Sequence, residues 1–402
     1  MTNHMFLKQK VFLVLGLILV STSVVYSEPT ISILWEKEIS QEGRSLVPYT
    51  IKVTDDNILR VIGLSHIPKR IDLKLIEYRI NLNTNELSES KNLLPMNEED
   101  ITITLPRAAI KDSRLINNKI IIVRNQYKSF DLQELTIDDD GKVKERKIQG
   151  LTRSSVSTHG ACRNLSGDVY LCGNSGYVRK VGSDGKVAWD TNYKSEKGED
   201  GTLGVAYSES EKVLVAFGMS FEPDTKFTSK DSNLWLANLN SEGKFIAKKE
   251  FEGIATFGKT PLFCLSQSDR PIVIYDTNPE LKNYNIVVSK FSKDLKKKEW
   301  TTSLFKGKDM MVSTRSLIPF DGDFILATFT CVSQKDINSY FYILDKNGKI
   351  VNHAALEDVS CVSSLIAVNQ NKIYFVTEEY KRENDTSINF LKLICLKIDS
   401  AS

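Results

Sequence analysis

The chain has 402 residues, of which 41% are hydrophobic and 26% charged, a balance that excludes a wholly disordered protein. Its 53 Lys and Arg against 51 Asp and Glu leave a net charge of +2. That excludes the broad basic field of a nucleic-acid binder, so no nucleic-acid partner is expected.

The first segment is tripartite. Lys8 and Lys10 precede an uncharged apolar run, Val11 to Val20, and a polar stretch from Ser21 to Ser27 follows. The run is short for a bilayer span. Val25 and Ser27 suit the −3 and −1 positions of a cleavage site before Glu28. The pattern predicts a signal peptide over 1–27, a mature domain over 28–402, a secreted or periplasmic location and no membrane span after cleavage.

Beyond it the chain repeats. The segment ISILWEKEI at 31–39 reads as an outer strand with no partner before it. Then a polar turn introduces a short β-rich run seven times. Asp55-Asp56-Asn57 precedes ILRVIG, Asn117-Asn118-Lys119 precedes IIIVR, and Ser166-Gly167-Asp168 precedes VYLCG. Ser210-Glu211-Lys212 precedes VLVAFG, Ser268-Asp269-Arg270 precedes PIVIYD, Asp321-Gly322-Asp323 precedes FILATF, and Asn369-Gln370-Asn371 precedes KIYFVT. Such runs have strand composition, and such turns tolerate tight backbone geometry.

A second turn recurs within the units, as at Asp139-Asp140-Gly141, Ser183-Asp184-Gly185, Ser241-Glu242-Gly243 and Lys346-Asn347-Gly348. Glycine there supplies the positive φ of a hairpin. Each unit thus reads as four antiparallel strands, a to d. The mature chain allows roughly 54 residues per unit, close to propeller repeats. The last unit ends in INFLKLICLKID, a strand c without a strand d. Pairing 31–39 with 388–399 supplies the missing strand. The predicted fold is an all-β, seven-bladed β-propeller of four-stranded antiparallel blades, closed by its N-terminal strand on the C-terminal blade.

SDGKVAWDTNY, SEGKFIAKKEF and KNGKIVNHAAL each read as a strand, a Gly hairpin and an outer strand, with Trp189, Trp300 and Trp35 on outer strands. In these segments the chain resembles the secreted PQQ-like (quinoprotein-dehydrogenase-like) β-propellers. The resemblance implies the architecture and not a quinone; no cofactor is expected. A sialidase-type Asp box does not fit, because Ser183-Asp184-Gly185 is too tightly spaced.

The inner strand of a propeller lines the central channel. Aligned on the a–b turns, the units begin strand a at Arg44, Arg107, His159, Thr202, Lys259, Arg315 and Val362. Arg44, Arg107, Lys259 and Arg315, with His159, are the candidate ligand-binding residues. A ring of such cations would attract an anionic small molecule, glycan or protein partner. The alternative is that they serve blade-to-blade contacts.

Cys162 and Cys172 are equidistant from Gly167 and are expected to bridge across one hairpin. Cys331 and Cys361 are a second candidate bridge, and Cys264 and Cys395 are expected to pack as small apolar residues. The sequons at Asn164 and Asn384 would carry glycans only in a eukaryotic secretory route. His66, His159 and His353 fall at different points of their repeats, so no metal site is expected. Glu196 to Asp200 and Asp321 to Asp323 read as solvated loops. No nucleophile elbow is present, and no catalytic residue is assigned. The functional expectation is a non-catalytic binding or scaffolding module; the rival is a hydrolase or lyase acting on an acidic glycan or other anionic substrate.

Overall fold

The computed structural model describes residues 31–67, 73–96, 110–116, 119–125, 132–148, 158–195, 199–221, 232–252, 261–277, 283–333, 336–357, 366–383 and 386–398. Among these, 28 strands form seven four-stranded antiparallel sheets. Each sheet is one blade of a β-propeller, as the repeats predict. Blade 1 comprises Ser45–Val53, Ile58–His66, Leu73–Asn81 and Glu86–Met96; blade 2 Ile110–Ile116, Lys119–Asn125, Leu132–Ile137 and Val143–Ile148. Blade 3 comprises Thr158–Arg163, Val169–Gly173, Tyr177–Val181 and Val187–Asn192; blade 4 Glu199–Ser208, Val213–Phe221, Asn233–Leu239 and Phe245–Glu252. Blade 5 comprises Leu262–Leu265, Pro271–Asp276, Asn283–Phe291 and Lys298–Lys308; blade 6 Met311–Phe320, Phe324–Val332, Ile337–Leu344 and Ile350–Glu357. Blade 7 comprises Ile366–Asn369, Lys372–Glu383, Thr386–Ile398 and, as its strand d, Ile31–Ile39.

Closure follows the expected pairing, with register running from Ile31 opposite Ile398 to Ile39 opposite Leu391. Successive a strands touch one another from blade 7 through blade 1 to blade 6 and form the hub. Antiparallel alternation puts every a–b and c–d turn on one face of the ring. The ends of the strands joined by the b–c and d–a connections lie at the other face.

The core lies between blades, so both sides of a blade must be apolar. In strand b this removes the usual alternation: Val169–Gly173 and Pro271–Asp276 are buried throughout. In blade 6, Phe341 and Ile343 pack towards blade 7, while Tyr342 and Leu344 pack towards blade 5. Outer strands alternate exposure instead, as in Lys298–Lys308.

Six of the seven c–d pairs carry a β-bulge, in five of them just after the turn and in blade 7 at the corresponding place of the closing strand. An extra residue in one strand re-aims the side chain that follows it. In blades 3 and 5 that side chain is tryptophan. Trp189 Nε1 donates to Ser241 O of blade 4 at 2.8 Å, and Trp300 Nε1 donates to Lys346 O of blade 6 at 3.0 Å. Each indole lies on the turn glycine of the next blade. A Cβ added at Gly243 would lie 2.7 Å from the Trp189 ring, and one at Gly348 2.5 Å from Trp300. Both glycines have φ near +80°. Trp35 occupies the same register position in blade 7, but its buried Nε1 has no acceptor among the described residues.

Arginines add further blade-to-blade clamps. Buried Arg60 pairs with Glu77 in blade 1 and donates to Asp138 O of blade 2 at 3.0 Å. Arg146 joins Glu134 at 2.9 Å to Ser183 O of blade 3 at 2.6 Å.

Three local expectations are corrected. The blade 3 a–b turn is centred on Ser166, not Gly167, because Asn164 N bonds Asp168 O and Gly167 N bonds Asn164 O. Cys162 therefore opposes Tyr170, and Cys172 opposes Gly160. The two sulfurs sit on a diagonal instead of face to face, and both remain buried thiols. Cys331 is also a thiol, raised by burial to about 12; its expected partner Cys361 lies outside the described residues. Buried Cys395 is raised to about 11, as an apolar packing role requires. Asn164 is 4% exposed, and its amide is spent on Asp168, which leaves no room for a glycan. Asn384 lies outside the described residues. Asp200 is a buried member of Glu199–Ser208 and not a solvated loop residue; its Oδ2 accepts from Ser195 N at 2.9 Å.

Candidate ligand site at the hub

Five of the a–b pairs also carry a bulge. The extra residues are Tyr49, Lys111, His159, Leu203 and Arg315, so these five positions form one belt around the hub. His159 and Arg315 were expected at the hub and stand in this belt. Arg44 stands five positions earlier than its own bulge residue, Tyr49, and so belongs to a level nearer the loop-rich face. Arg107 and Lys259 lie outside the described residues. The likeness of RSLVPY to RSLIPF puts Arg44 and Arg315 at one level, but Arg44 stands eleven residues before the turn at Asp55 and Arg315 six before the turn at Asp321.

Two of the belt side chains are held by their neighbours. The exposed His159 uses Nδ1 to contact Thr202 O of blade 4 at 3.2 Å. A carbonyl only accepts, so Nδ1 carries the proton and Nε2 is the nitrogen turned to other partners. Gly160 permits this approach: a Cβ there would sit 3.2 Å from Cys172 Sγ and 3.3 Å from Leu203 O. Half-buried Arg315 donates from Nε to Thr330 Oγ1 at 3.2 Å, and buried Thr330 in turn contacts Ser339 Oγ at 3.1 Å.

Arg44 reaches outward over its own blade. Its Nε donates to Ser65 Oγ at 2.6 Å and its Nη2 to Ser65 O at 3.1 Å, while Ser65 Oγ donates to Gln41 Oε1 at 2.6 Å. Burial lowers the His66 pKa, the Ile67 backbone opposes this, and the Arg44 charge lowers it further. The register thus puts His159 and Arg315 at one level of the hub, with position 111 in register beside them. The Arg315 guanidinium is a donor, and the imidazole joins it once Nε2 is also protonated, a pair that favours an anion. Among the described residues, no group of three or more His, Cys, Asp or Glu is placed to hold a metal ion.

Lys111 and the polar residues around Lys290, on the short-turn face, were not singled out by sequence. Lys111 is signalled only by a bulge, which has no residue signature. The Lys290 group is signalled by a comparison of turn ends, Asp168 in blade 3 against Arg270 in blade 5.

The sequence matches no protein-family profile and no curated protein. Similar folds are found among solved structures. Raptor from Chaetomium thermophilum superposes with a TM-score of 0.53 at 9% identity, over 91% of this chain and 30% of that one. This chain therefore spans under a third of that protein's length. A member of the duf4221 family from Bacteroides vulgatus superposes with a TM-score of 0.45 at 12% identity, over 76% of this chain and 96% of that one. At 9% identity the likeness to the first of these concerns the fold alone.

Proposed function

We propose that this protein is an exported, non-catalytic β-propeller that binds an anionic ligand at the loop-rich mouth of its hub. The observation that carries the reading is the bulged belt, which holds His159 and Arg315 at one level by hydrogen bonds to neighbouring strands. Bulges that re-aim side chains are over-represented beside binding sites. Export rests on Lys8, Lys10 and the apolar run from Val11 to Val20. The PQQ-like reading rests on Trp189 and Trp300, which dock on the next blade as outer-strand tryptophans of such propellers do; it implies no quinone.

The test is calorimetric titration with heparin-derived and oligogalacturonate fragments. The double variant His159→Ala/Arg315→Ala removes the Arg315 guanidinium, a charge-assisted donor worth about 1.5–3 kcal/mol, and the His159 imidazole, which adds a second donor when protonated. Affinity should fall at least about tenfold. Equal affinity in the variant, or no binding by the native protein, rejects the mouth as an anion site.

A further inference from the structure

A second site lies on the opposite face. Between blades 5 and 6 the short turns enclose a cleft of about 510 Å³, walled by Ser268, Arg270, Lys290, Trp300, Asp323 and Lys346. Lys290, on strand c of blade 5, is 2% exposed and is one of the residues that line this cleft. Its nearest carboxylate is Asp323 Oδ2, at 3.9 Å. That carboxylate already accepts from Ser268 N at 3.2 Å and Ser268 Oγ at 2.9 Å. Arg270 pairs at 2.5 Å with Glu299, the extra residue of the outer-strand bulge. With exposed Lys346 added, the cleft has one more cation than carboxylates.

Blade 3 supplies an internal control. Lys180 opposes Tyr170 and Trp189 there, as Lys290 opposes Ile272 and Trp300 in blade 5. The a–b turns also match: Asn164 N bonds Asp168 O, and Ser266 N bonds Arg270 O. In blade 3 the turn ends in Asp168, whose carboxylate meets Lys180 Nζ at 2.9 Å. In blade 5 the equivalent residue is Arg270, so the counter-charge has been exchanged for a second cation. Elsewhere the equivalent of Lys290 is either uncharged, as Asn238 and Ile343 are, or answered at closer range, as Arg79 is by Glu77 at 3.3 Å.

We propose that this cleft binds a small anion from outside the chain. Its carboxylate or phosphate takes the place that Asp168 fills in blade 3, bonding Lys290 with Arg270 and Lys346 beside it. Its carbon skeleton rests along Trp300. Among the described residues the ion pair of Lys290 is the long one to Asp323 Oδ2, and an anion at closer range offsets more of the cost of burying the ammonium.

Two probes separate the anion types, inorganic phosphate and glucuronate, with glucose as the neutral control, each followed by calorimetry on the full chain. The native protein is expected to bind at least one anion and not glucose. Lys290→Met should weaken that binding at least about tenfold. Arg270→Asp should abolish it while leaving the unfolding midpoint unchanged or raised, because it rebuilds the blade 3 pair internally. That result cannot arise from misfolding. Lys180→Met and the mouth variant His159→Ala/Arg315→Ala should leave it unchanged, which separates this site from the hub. Binding of neither anion by the native protein, or equal binding by Arg270→Asp, overturns the proposal.

Discussion

Gly348→Ala tests how one blade is locked to the next. The Lys346–Gly348 turn has no freedom to adapt: Gly348 N donates to Asp345 O at 2.9 Å, and Asp345 Oδ1 accepts from Asn347 N and Lys349 N, both at 2.9 Å. Thr302 of blade 5 also donates to Gly348 O. A methyl at 348 meets three obstacles, the mildest being Thr302 Oγ1 at 3.0 Å. The left-handed backbone, at φ +82°, costs an L-residue about 1–2 kcal/mol. The new Cβ would also lie 2.5 Å from the Trp300 ring, so the indole must withdraw. Withdrawal forfeits the Nε1 bond to Lys346 O, worth about 0.5–1.5 kcal/mol, along with close packing on the turn. The expected total is about 2–4 kcal/mol. Guanidinium unfolding followed by far-ultraviolet circular dichroism measures it, and a double-mutant cycle apportions it. In a Trp300→Ala background the obstructing ring is gone, so Gly348→Ala should then cost the backbone strain and the small adjustment of Thr302 Oγ1, 3.0 Å from the new Cβ. The interaction term should be at least about 1 kcal/mol. An equal cost in both backgrounds would refute docking of the indole on the turn.

Two further outcomes follow from the same structure. Burial alone would raise the Asp168 carboxyl, but hydrogen bonds from Lys180, Asn164 and Ser183, with the Lys180 charge, hold it below the ordinary carboxylate range. A depressed folded pKa stabilises above the unfolded value, near 3.9, and the contribution is lost as pH falls through the folded value. Asp168→Asn should therefore cost about 1.5 kcal/mol at pH 7, the low end for a charged hydrogen bond that still touches water, and the difference from the native protein should close in acid. Denaturant midpoints at several pH values check this; a difference independent of pH would exclude the ion pair as its source. Removal of residues 1–39 strips blade 7 of its outer strand and bares the long edge of Thr386–Ile398. Light scattering after size exclusion should find association or aggregation, and a stable monomer with an unchanged melting temperature would contradict closure by that strand.

Blade count, strand order and ring closure were legible because each depends on local chemistry repeated many times. Turn residues such as Ser183-Asp184-Gly185 mark hairpins wherever they occur, and the β-rich runs between them have nowhere to bury both faces except between neighbouring blades. The unpaired outer strand around Trp35 and the lone strand c around Cys395 pointed to each other because a sheet edge needs a partner. The candidate site was less legible. Bulges at Tyr49, His159 and Arg315 carry no characteristic side chain, and the similar segments RSLVPY and RSLIPF lie at different distances from their turns, so Arg44 and Arg315 match in the sequence and separate in the ring. A single-residue error at the Ser166 turn likewise turned a cross-strand cysteine pair into a diagonal one.

The sequence by itself determined the seven-bladed ring, since hairpin turns and alternating apolar runs act over a few residues and add up along the chain. Tertiary structure alone decided which charges meet. Lys180 reaches Asp168 while Lys290, at the same place in its own blade, faces Arg270, and that difference exists only once strands far apart in sequence lie side by side. Electrostatic contacts act through space over a few ångströms, so their partners are set by register and blade packing, which no short window of residues encodes.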